Sequence, residues 1–532
     1  MILTQDCFDI LIIVNINSKL IKAIVFLSIL FWYGIFFSHK IDLSTADLGR
    51  HLKNGEIILN GTSSQKWSVL HTNFYSYTLP KQSFINHHWL SGVIFFLVYT
   101  WFGFTGPSIL YVSLNLGAVT LFFDTARRSS NFWVSSFLLI ILMPLITIRA
   151  EIRPEAFTYF LTAVLFWILF NVIQKNRYVK LFWILPFVIL LWVNLHIGFI
   201  FGFLVLGAFG VKETIYFFQK KTNHLFKLLT ISTACIFAAL INPFFIKGLL
   251  YPFQILNNYG YLIVENQSIP FLENLNFTTG QHFVLFKLVI LLIFVSFVWV
   301  AFRNLKKIDI TLLILIILFG IISFLGIRNF PLFALFAIPV LAVNTNLIIP
   351  NSLKTQTRYN IYTFGVMIVM FCLIQSAINY NQIKSLLGLG LIPNIQAATE
   401  FYKDKKIQGP IFNNYDIGGY LIFNIYPEKV FVDNRPEAYG ADFFKNTYIP
   451  MQESQKKWQQ IDKTYQFNAI FFSHRDYTPW GQMFLVSKIN DNNWAPVFVD
   501  NYNIIFLKRN ERNSRTIKKY ELSKDLFKVT KN

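Results

Sequence analysis

The sequence predicts a mainly α membrane protein: a bundle of about eleven transmembrane helices with a large first outer loop, plus a soluble α/β domain at its C-terminal end. Three observations carry this expectation. Of 532 residues, 54% are hydrophobic and only 14% charged, against about 25% charged in an ordinary soluble domain. Apolar runs of spanning length recur through the first 380 residues. Beyond Tyr380 the composition becomes that of soluble sequence.

A spanning helix needs about 20 apolar residues. Suitable runs lie near 20–38, 107–123, 132–148, 156–173, 181–195, 197–218, 226–242, 281–302, 309–326, 329–348 and 360–378, with an ambiguous twelfth at 88–103. The first is followed by polar sequence without a small-residue cleavage site, so it reads as a retained anchor rather than a signal peptide. The net charge of +20 does not point to nucleic acid, because the basic residues are dispersed in short loops. Orientation by positive charge produces that dispersal. Cys7, Cys235 and Cys372 lie in or beside apolar stretches, and no disulfide framework or thiolate metal site is readable.

Charge also settles the ambiguous run. With the N-terminus in the cytoplasm and His88 to Gly103 lying as a helix at the outer interface, nearly all basic clusters fall on the cytoplasmic side. These are Arg127 and Arg128; Lys175, Arg177 and Lys180; Lys220, Lys221 and Lys227; Arg303, Lys306 and Lys307; Lys354 and Arg358. The outer ends then receive Asp47, His51, His87, His88, Arg149, Glu151, Arg153, Glu155, Asn194, His196, Asn242, Glu265, Glu273 and Arg328. Charges so close to hydrocarbon are costly unless paired or set in a wet cavity. One external cavity served by many helix ends accounts for them.

The expected division is therefore a transmembrane domain over 1–380, with its first outer loop at 38–106, and an extracytoplasmic α/β domain over 381–532. Strands are expected at Gly409–Asn413, Lys429–Asp433, Asn468–Ser473, Ala495–Val499 and Asn503–Lys508. Helices are expected at Ile395–Lys405, Tyr420–Ile425 and Glu453–Tyr465, and the last twenty residues are expected to fray.

Seven segments offer chemistry. Asp47-Leu-Gly-Arg-His sets Asp47 against Arg50 and His51 at helical spacing. Its carboxylate can take a proton or bind a divalent cation; its plain alternative is a helix cap. Asn86-His87-His88-Trp89 opens the interfacial helix, where histidine can meet phosphate or act as acid or base. Its alternative is an amphipathic belt. Adjacent histidines on a helix diverge, so at most one is expected to point inward. In Arg149-Ala-Glu-Ile-Arg-Pro-Glu, Pro154 suits a first helical turn, putting Arg153 and Glu155 at an N-terminus apt for phosphate; simple ion pairing is the alternative. Asn194 and His196 either bond a ligand or close a helical hairpin with Gly198, and a lone Arg328 opening a late span needs an anion. In the tail, Asn413-Asn-Tyr-Asp-Ile-Gly-Gly-Tyr and Val432-Asp-Asn-Arg-Pro-Glu, with Asp433 and Arg435, follow consecutive expected strands, where α/β domains bind ligands.

In this order the blocks resemble bacterial polytopic proteins of the GT-C glycosyltransferase class, among them protein mannosyltransferases and lipid A aminoarabinose transferases. The matching residues are Asp47-x-x-Arg-His, Phe74-Tyr-Ser-Tyr-Thr, His88-Trp-Leu, Arg153-Pro-Glu, Trp192-Val-Asn-Leu-His-x-Gly, Gly418-Gly-Tyr and Asp433-Asn-Arg. The resemblance implies a polyprenyl-phosphate-linked sugar donor and chemistry on the outer face of the bacterial plasma membrane. It also implies a first-loop carboxylate acting as base or metal partner with a second acid at a later span, here Asp47 and Glu155, around a divalent cation such as Mg or Mn. The chain departs from the mannosyltransferases in having Leu48 beside Asp47 and Asn86-His-His-Trp before the interfacial helix. The acceptor stays open among glycan, lipid and protein.

The expected reaction is an inverting sugar transfer. Asp47 and Glu155 are its catalytic pair, and Arg149, Arg153, Arg328 and His88 meet the donor phosphate. Arg50, His51, His87, Asn194, His196, Asp433 and Arg435 contact substrate. A flippase of an anionic lipid or sugar phosphate is the alternative from the transport class, and a non-catalytic envelope assembly protein is a third.

Overall fold

The computed structural model describes residues 18–221, 224–254, 259–276, 280–348 and 386–527. In chain order the first part contains α1 (Ser18–Phe37), α2 (Leu48–Asn60), α3 (Ser63–His71), α4 (Trp89–Phe102), α5 (Thr105–Ser129), α6 (Phe132–Ile146) and α7 (Glu155–Leu169). There follow α8 (Leu185–Leu195), α9 (Ile200–Phe218), α10 (His224–Ala239), α11 (Ile246–Gln254), α12 (Ile269–Asn274), α13 (Gly280–Asn304), α14 (Ile310–Leu325) and α15 (Phe330–Ile348). Among the described residues, six helices are long and apolar enough to cross a membrane: Lys19–Phe37, Thr105–Ser129, Glu155–Gln174, Ile197–Phe218, Gly280–Lys307 and Ile327–Ile348. The chain is a multi-pass membrane protein. The spans expected near 132–148, 181–195, 226–242 and 309–326 are shorter apolar helices, Phe132–Ile146, Val179–Leu195, His224–Ala239 and Ile310–Leu325. The run at 360–378 lies outside the described residues.

The bundle closes on α15, whose residues Phe330 to Ala342 are all buried. Phe336 packs edge-on against Phe122 of α5 and Phe166 of α7, with centroids 5.0 and 5.1 Å away, and stacks on Phe319 of α14 at 4.4 Å. Such ring contacts each add about 0.5–1.5 kcal/mol beyond area burial.

The first loop forms a layer at one end of the bundle. Its helix α2 is amphipathic and buries Leu48, His51, Leu52, Asn54, Gly55 and Ile57. Only 14 residues long, α4 extends about 21 Å, short of the ~30 Å hydrocarbon core. It lies against α2, and the crossing is possible because two glycines meet. A Cβ on Gly55 would stand 2.1 Å from the Gly92 carbonyl oxygen, and one on Gly92 2.8 Å from that of His51. Next to α2, α3 begins in a capping box: the Thr62 hydroxyl accepts from Gln65 N, and the Gln65 side chain accepts from Thr62 N.

The tail contains α16 (Ala397–Asp404), β1 (Ile411–Asn413), α17 (Gly418–Ile425), α18 (Gln455–Tyr465), β2 (Ala469–Ser473), α19 (Pro479–Asn490), β3 (Trp494–Val499), β4 (Asn503–Lys508) and α20 (Glu511–Tyr520). Its sheet has the order β1-β2-β4-β3, with β1 parallel to β2 and the other pairs antiparallel. Two expectations need correction. Lys429–Asp433 is not a strand of this sheet, although its apolar residues are buried. It pairs instead with the first loop and with side chains: Val430 bridges Ser76 in parallel through Tyr75 O and Tyr77 N, Asn413 accepts from Phe431 N and donates to Val432 O, and Ser76 and Thr78 donate to Phe431 O. The final residues do not all fray, because α20 is capped by Asn510 and anchored by buried Ile517.

The tail domain sits on the first loop. Tyr77 donates to Ile411 O at 2.7 Å, Arg475 pairs with Asp42 at 3.3 Å, and a Cβ on Gly49 would stand 2.6 Å from the Gly419 carbonyl oxygen. Backbone contact this close brings the start of α17 directly onto the start of α2.

Candidate functional site

At the end of the bundle facing the tail domain, charged groups gather from five separate stretches of chain. Asp47 and Arg50 come from the start of α2. Arg149, Glu151, Arg153 and Glu155 come from the turn between α6 and α7, where Pro154 precedes the first helical residue, Glu155. Arg328 opens the last described span. Glu265 comes from a 3-10 turn at Val264–Asn266. The tail adds Asp416 and Asn434.

Arg149, Arg153 and Arg328 are each met by carboxylate. Glu155 bonds Arg328 through one oxygen, and its other oxygen lies 3.3 Å from Arg149 Nη2. Glu265 spans Arg149 Nη1 and Arg153 Nη1, the latter at 2.8 Å. Glu151 takes the remaining face of Arg153, at 2.8 Å from Nη2. Burial works to raise the Glu265 carboxyl, but the guanidinium groups of Arg153 and Arg149 overcome it and hold it at about 2. For Glu151 burial prevails and the carboxyl is raised; its Oε1 is buried without a hydrogen bond.

Asp47 is held more loosely. Its oxygens are 3.7 Å from Arg50 and 3.9 Å from Arg153, beyond hydrogen-bond length. Although it immediately precedes α2, its side chain does not cap the helix, so the plain reading of this residue does not hold. Arg50 is steadied from the tail by Asn434, whose Oδ1 accepts from its Nε at 3.3 Å. Asp416 stands three residues before Gly419, whose Cβ would lie 3.2 Å from Ala46 O. Burial, then the charges of Asp476, Asp47 and Glu151, push its carboxyl up to about 7.

Beside the ion pairs lie four histidines. The His88 ring is 3.8 Å from that of His87, 5.0 Å from that of His196 and 5.3 Å from that of His51. Both neighbours 87 and 88 thus join the cluster. The helix starts only at Trp89, so the divergence expected of adjacent helical residues does not apply. Trp192 Nε1 donates to Thr158 Oγ1, which bonds His196 Nδ1, and Gly198 N donates to the same nitrogen. Since that nitrogen accepts, His196 carries its proton on Nε2. Burial pushes His51 and His88 well below the ordinary value, His87 to about 3 and His196 to about 4. All four rings are neutral at pH 7. His51 Nδ1 and His87 Nε2 are buried without a hydrogen bond.

Other expected site residues are engaged in framework contacts. Asn194 accepts from Trp89 Nε1 and donates to Leu190 O and Ile241 O, tying α4 to α8. Asp433 and Arg435 bond each other at 2.6 Å, both fully buried, and Arg435 donates to Asn73 of the first loop. Glu155 holds Arg328 and Arg149, while Asp47 faces Arg50 and Arg153. Among the described residues, no group of three or more His, Cys, Asp or Glu is arranged to hold a metal ion.

Sequence reasoning placed Glu265, Glu151 and Asp416 near the outer ends or in a tail motif without giving them site roles. Glu265 carries no local pattern, and only its distance from Arg149 and Arg153 reveals it. Asp416 was visible within a motif that follows a strand.

No family model and no curated protein matches the chain in sequence. Solved structures do match it in fold. The archaeal oligosaccharyltransferase AglB from Archaeoglobus fulgidus, in complex with an inhibitory peptide and a dolichol-phosphate, superposes with a TM-score of 0.56 at 12% identity, over 90% of this chain and 74% of that one. The apo form of the Archaeoglobus fulgidus oligosaccharyltransferase gives 0.55 at 13% identity, over 91% and 73%. The chain has the fold of the GT-C class of membrane glycosyltransferases.

Proposed function

We propose that the chain transfers a sugar from a polyprenyl-phosphate-linked donor to an acceptor glycan, lipid or protein at the outer face of the membrane. The observation that carries this reading is the convergence of Arg149, Arg153 and Arg328 beside a loosely paired Asp47. Support comes from the fold: the similar AglB structure holds a dolichol-phosphate.

In this mechanism Asp47 takes the proton from the acceptor hydroxyl (or amine) as its oxygen (or nitrogen) attacks the anomeric carbon. Attack comes from the face opposite the phosphate, so the centre inverts. The bond from the anomeric carbon to the phosphate oxygen breaks, and its electron pair leaves on the polyprenyl phosphate. Arg149, Arg153 and Arg328 stabilise that developing charge. Arg50 pairs with Asp47 from 3.7 Å, Glu155 orients Arg149 and Arg328, and the neutral His88 and His196 offer hydrogen bonds to donor hydroxyl or phosphate oxygens.

The test is transfer in proteoliposomes supplied with a panel of polyprenyl-phosphate sugars. Asp47→Asn is expected to lower the rate by about 10²–10⁴-fold, the usual contribution of a positioned base, with donor binding retained. Unchanged transfer by this variant rules the mechanism out.

A further inference from the structure

We infer that Glu265 is the site's own anion, occupying on Arg149 and Arg153 the seat that the departing polyprenyl phosphate takes, and yielding it to a phosphate dianion. This deepens the proposed function and rests on it.

Three guanidinium groups buried together without anions would be strongly destabilising, and Glu151, Glu155 and Glu265 neutralise them. A phosphate must take over at least one of these positions. Glu155 belongs to the first turn of a long span and holds Arg328 as well as Arg149. Glu151 lies within the same tight turn as Arg149 and Arg153. Glu265 alone of the three arrives from a separate segment.

Its two oxygens are placed one on each arginine, the arrangement in which two phosphate oxygens would bind a pair of guanidinium groups. The neighbouring backbone is anchored independently. Asn266 Oδ1 accepts from Arg328 Nη1 at 2.8 Å, Ile327 N donates to Gln267 O, and the Tyr261 ring stacks on Tyr415 at 4.1 Å. Glu265 therefore leaves by side-chain rotation while its turn stays seated. Arg149 Nη2 makes no hydrogen bond and is held only by its ion pair with Glu155 at 3.3 Å, which leaves its N–H groups able to turn to an incoming oxygen. A carboxylate spanning two arginines is displaced well by a phosphate dianion, which offers more charge and a third oxygen. The singly charged phosphodiester of the intact donor has neither advantage, and the departing polyprenyl phosphate, a dianion once the anomeric bond breaks, has both.

The experiment is binding of citronellyl phosphate, inorganic phosphate and citronellol to the full-length protein in detergent. The readouts are calorimetry and the ligand-induced shift in unfolding temperature. Glu265→Gln, which keeps size and hydrogen bonding, is expected to bind citronellyl phosphate about ten-fold more tightly than wild type. Glu265→Asp is expected to lie between them, and Arg153→Gln to lose binding in either background. A gain for citronellyl phosphate greater than for inorganic phosphate assigns the seat to a lipid headgroup; equal gains assign it to free phosphate. Wild-type binding that is unchanged or weakened in Glu265→Gln overturns this inference alone. No preference for phosphate over citronellol in any variant overturns it together with the donor assignment. Should Glu265→Gln fold poorly, Glu265→Asp carries the comparison and is expected to exceed wild type; equal or weaker binding by it overturns the inference.

Discussion

Two kinds of buried titratable group give the site opposite responses to pH. The four histidines are depressed in the folded state, so below about 6.5 the unfolded chain binds more protons than the folded one. Their contribution to stability is complete above that value and is lost as pH falls toward about 3 to 4. Asp416 behaves inversely. Its folded value is raised to about 7, so its contribution is complete below the ordinary carboxyl range and lost as pH rises through 7. Asp416→Asn is therefore expected to unfold at a higher temperature than wild type at pH 8, by a few degrees, with the difference shrinking toward pH 5. Thermal unfolding of both proteins across that range measures it, and a pH-independent difference contradicts the assignment. In parallel, His87→Phe is expected to lessen the fall in unfolding temperature between pH 6.5 and 5.

At the scale of elements, the architecture of the site depends on close backbone approach. α2 meets α4 at Gly55 and Gly92, and meets α17 at Gly49 and Gly419. Gly55→Ala places its Cβ 2.1 Å from a carbonyl oxygen, and overpacking of this kind costs about 1–3 kcal/mol. Gly103→Ala has open space around its Cβ but a φ of +57° and a ψ of −152°, a glycine-only conformation whose strain costs about 1–3 kcal/mol. Denaturation in detergent should show both variants destabilised, with loss of activity accompanying Gly55→Ala alone. Hydropathy was a good guide to elements of the bundle and a poorer one in the tail. Val430-Phe-Val has the composition of a strand, yet it joins no strand of the sheet: Val430 makes a single bridge to Ser76 of the first loop, and the side chains of Asn413, Ser76 and Thr78 bond the rest. The final helix was masked by its polar composition and declared only by an asparagine cap and one buried isoleucine.

For the whole molecule, the first loop is the layer through which bundle and tail are joined, and the Asp433–Arg435 pair braces it from above. Removing one member of a buried ion pair costs about 3–5 kcal/mol, whereas replacing both with apolar groups is often neutral. Asp433→Leu is thus expected to unfold far below wild type, and Asp433→Leu with Arg435→Met to recover most of the loss. Equal stability of the single and double variants in thermal unfolding would show that the pair does not brace the interface. If the tail serves acceptor binding, the single variant also raises KM for the acceptor more than for the donor.

The chain's own sequence determined its membrane character, the positions of its apolar helices, and the polar segments from which the site is drawn. Hydrophobic length and composition are local properties, readable wherever a run of residues lies. The partners of Asp47, Arg149, Arg153 and Arg328 were decided only by tertiary structure. Glu265 lies more than a hundred residues from the arginines it spans, and Asp416 still further from Asp47. Electrostatic interaction depends on distance in space and on exclusion of water, and neither is encoded in the spacing of residues along the chain.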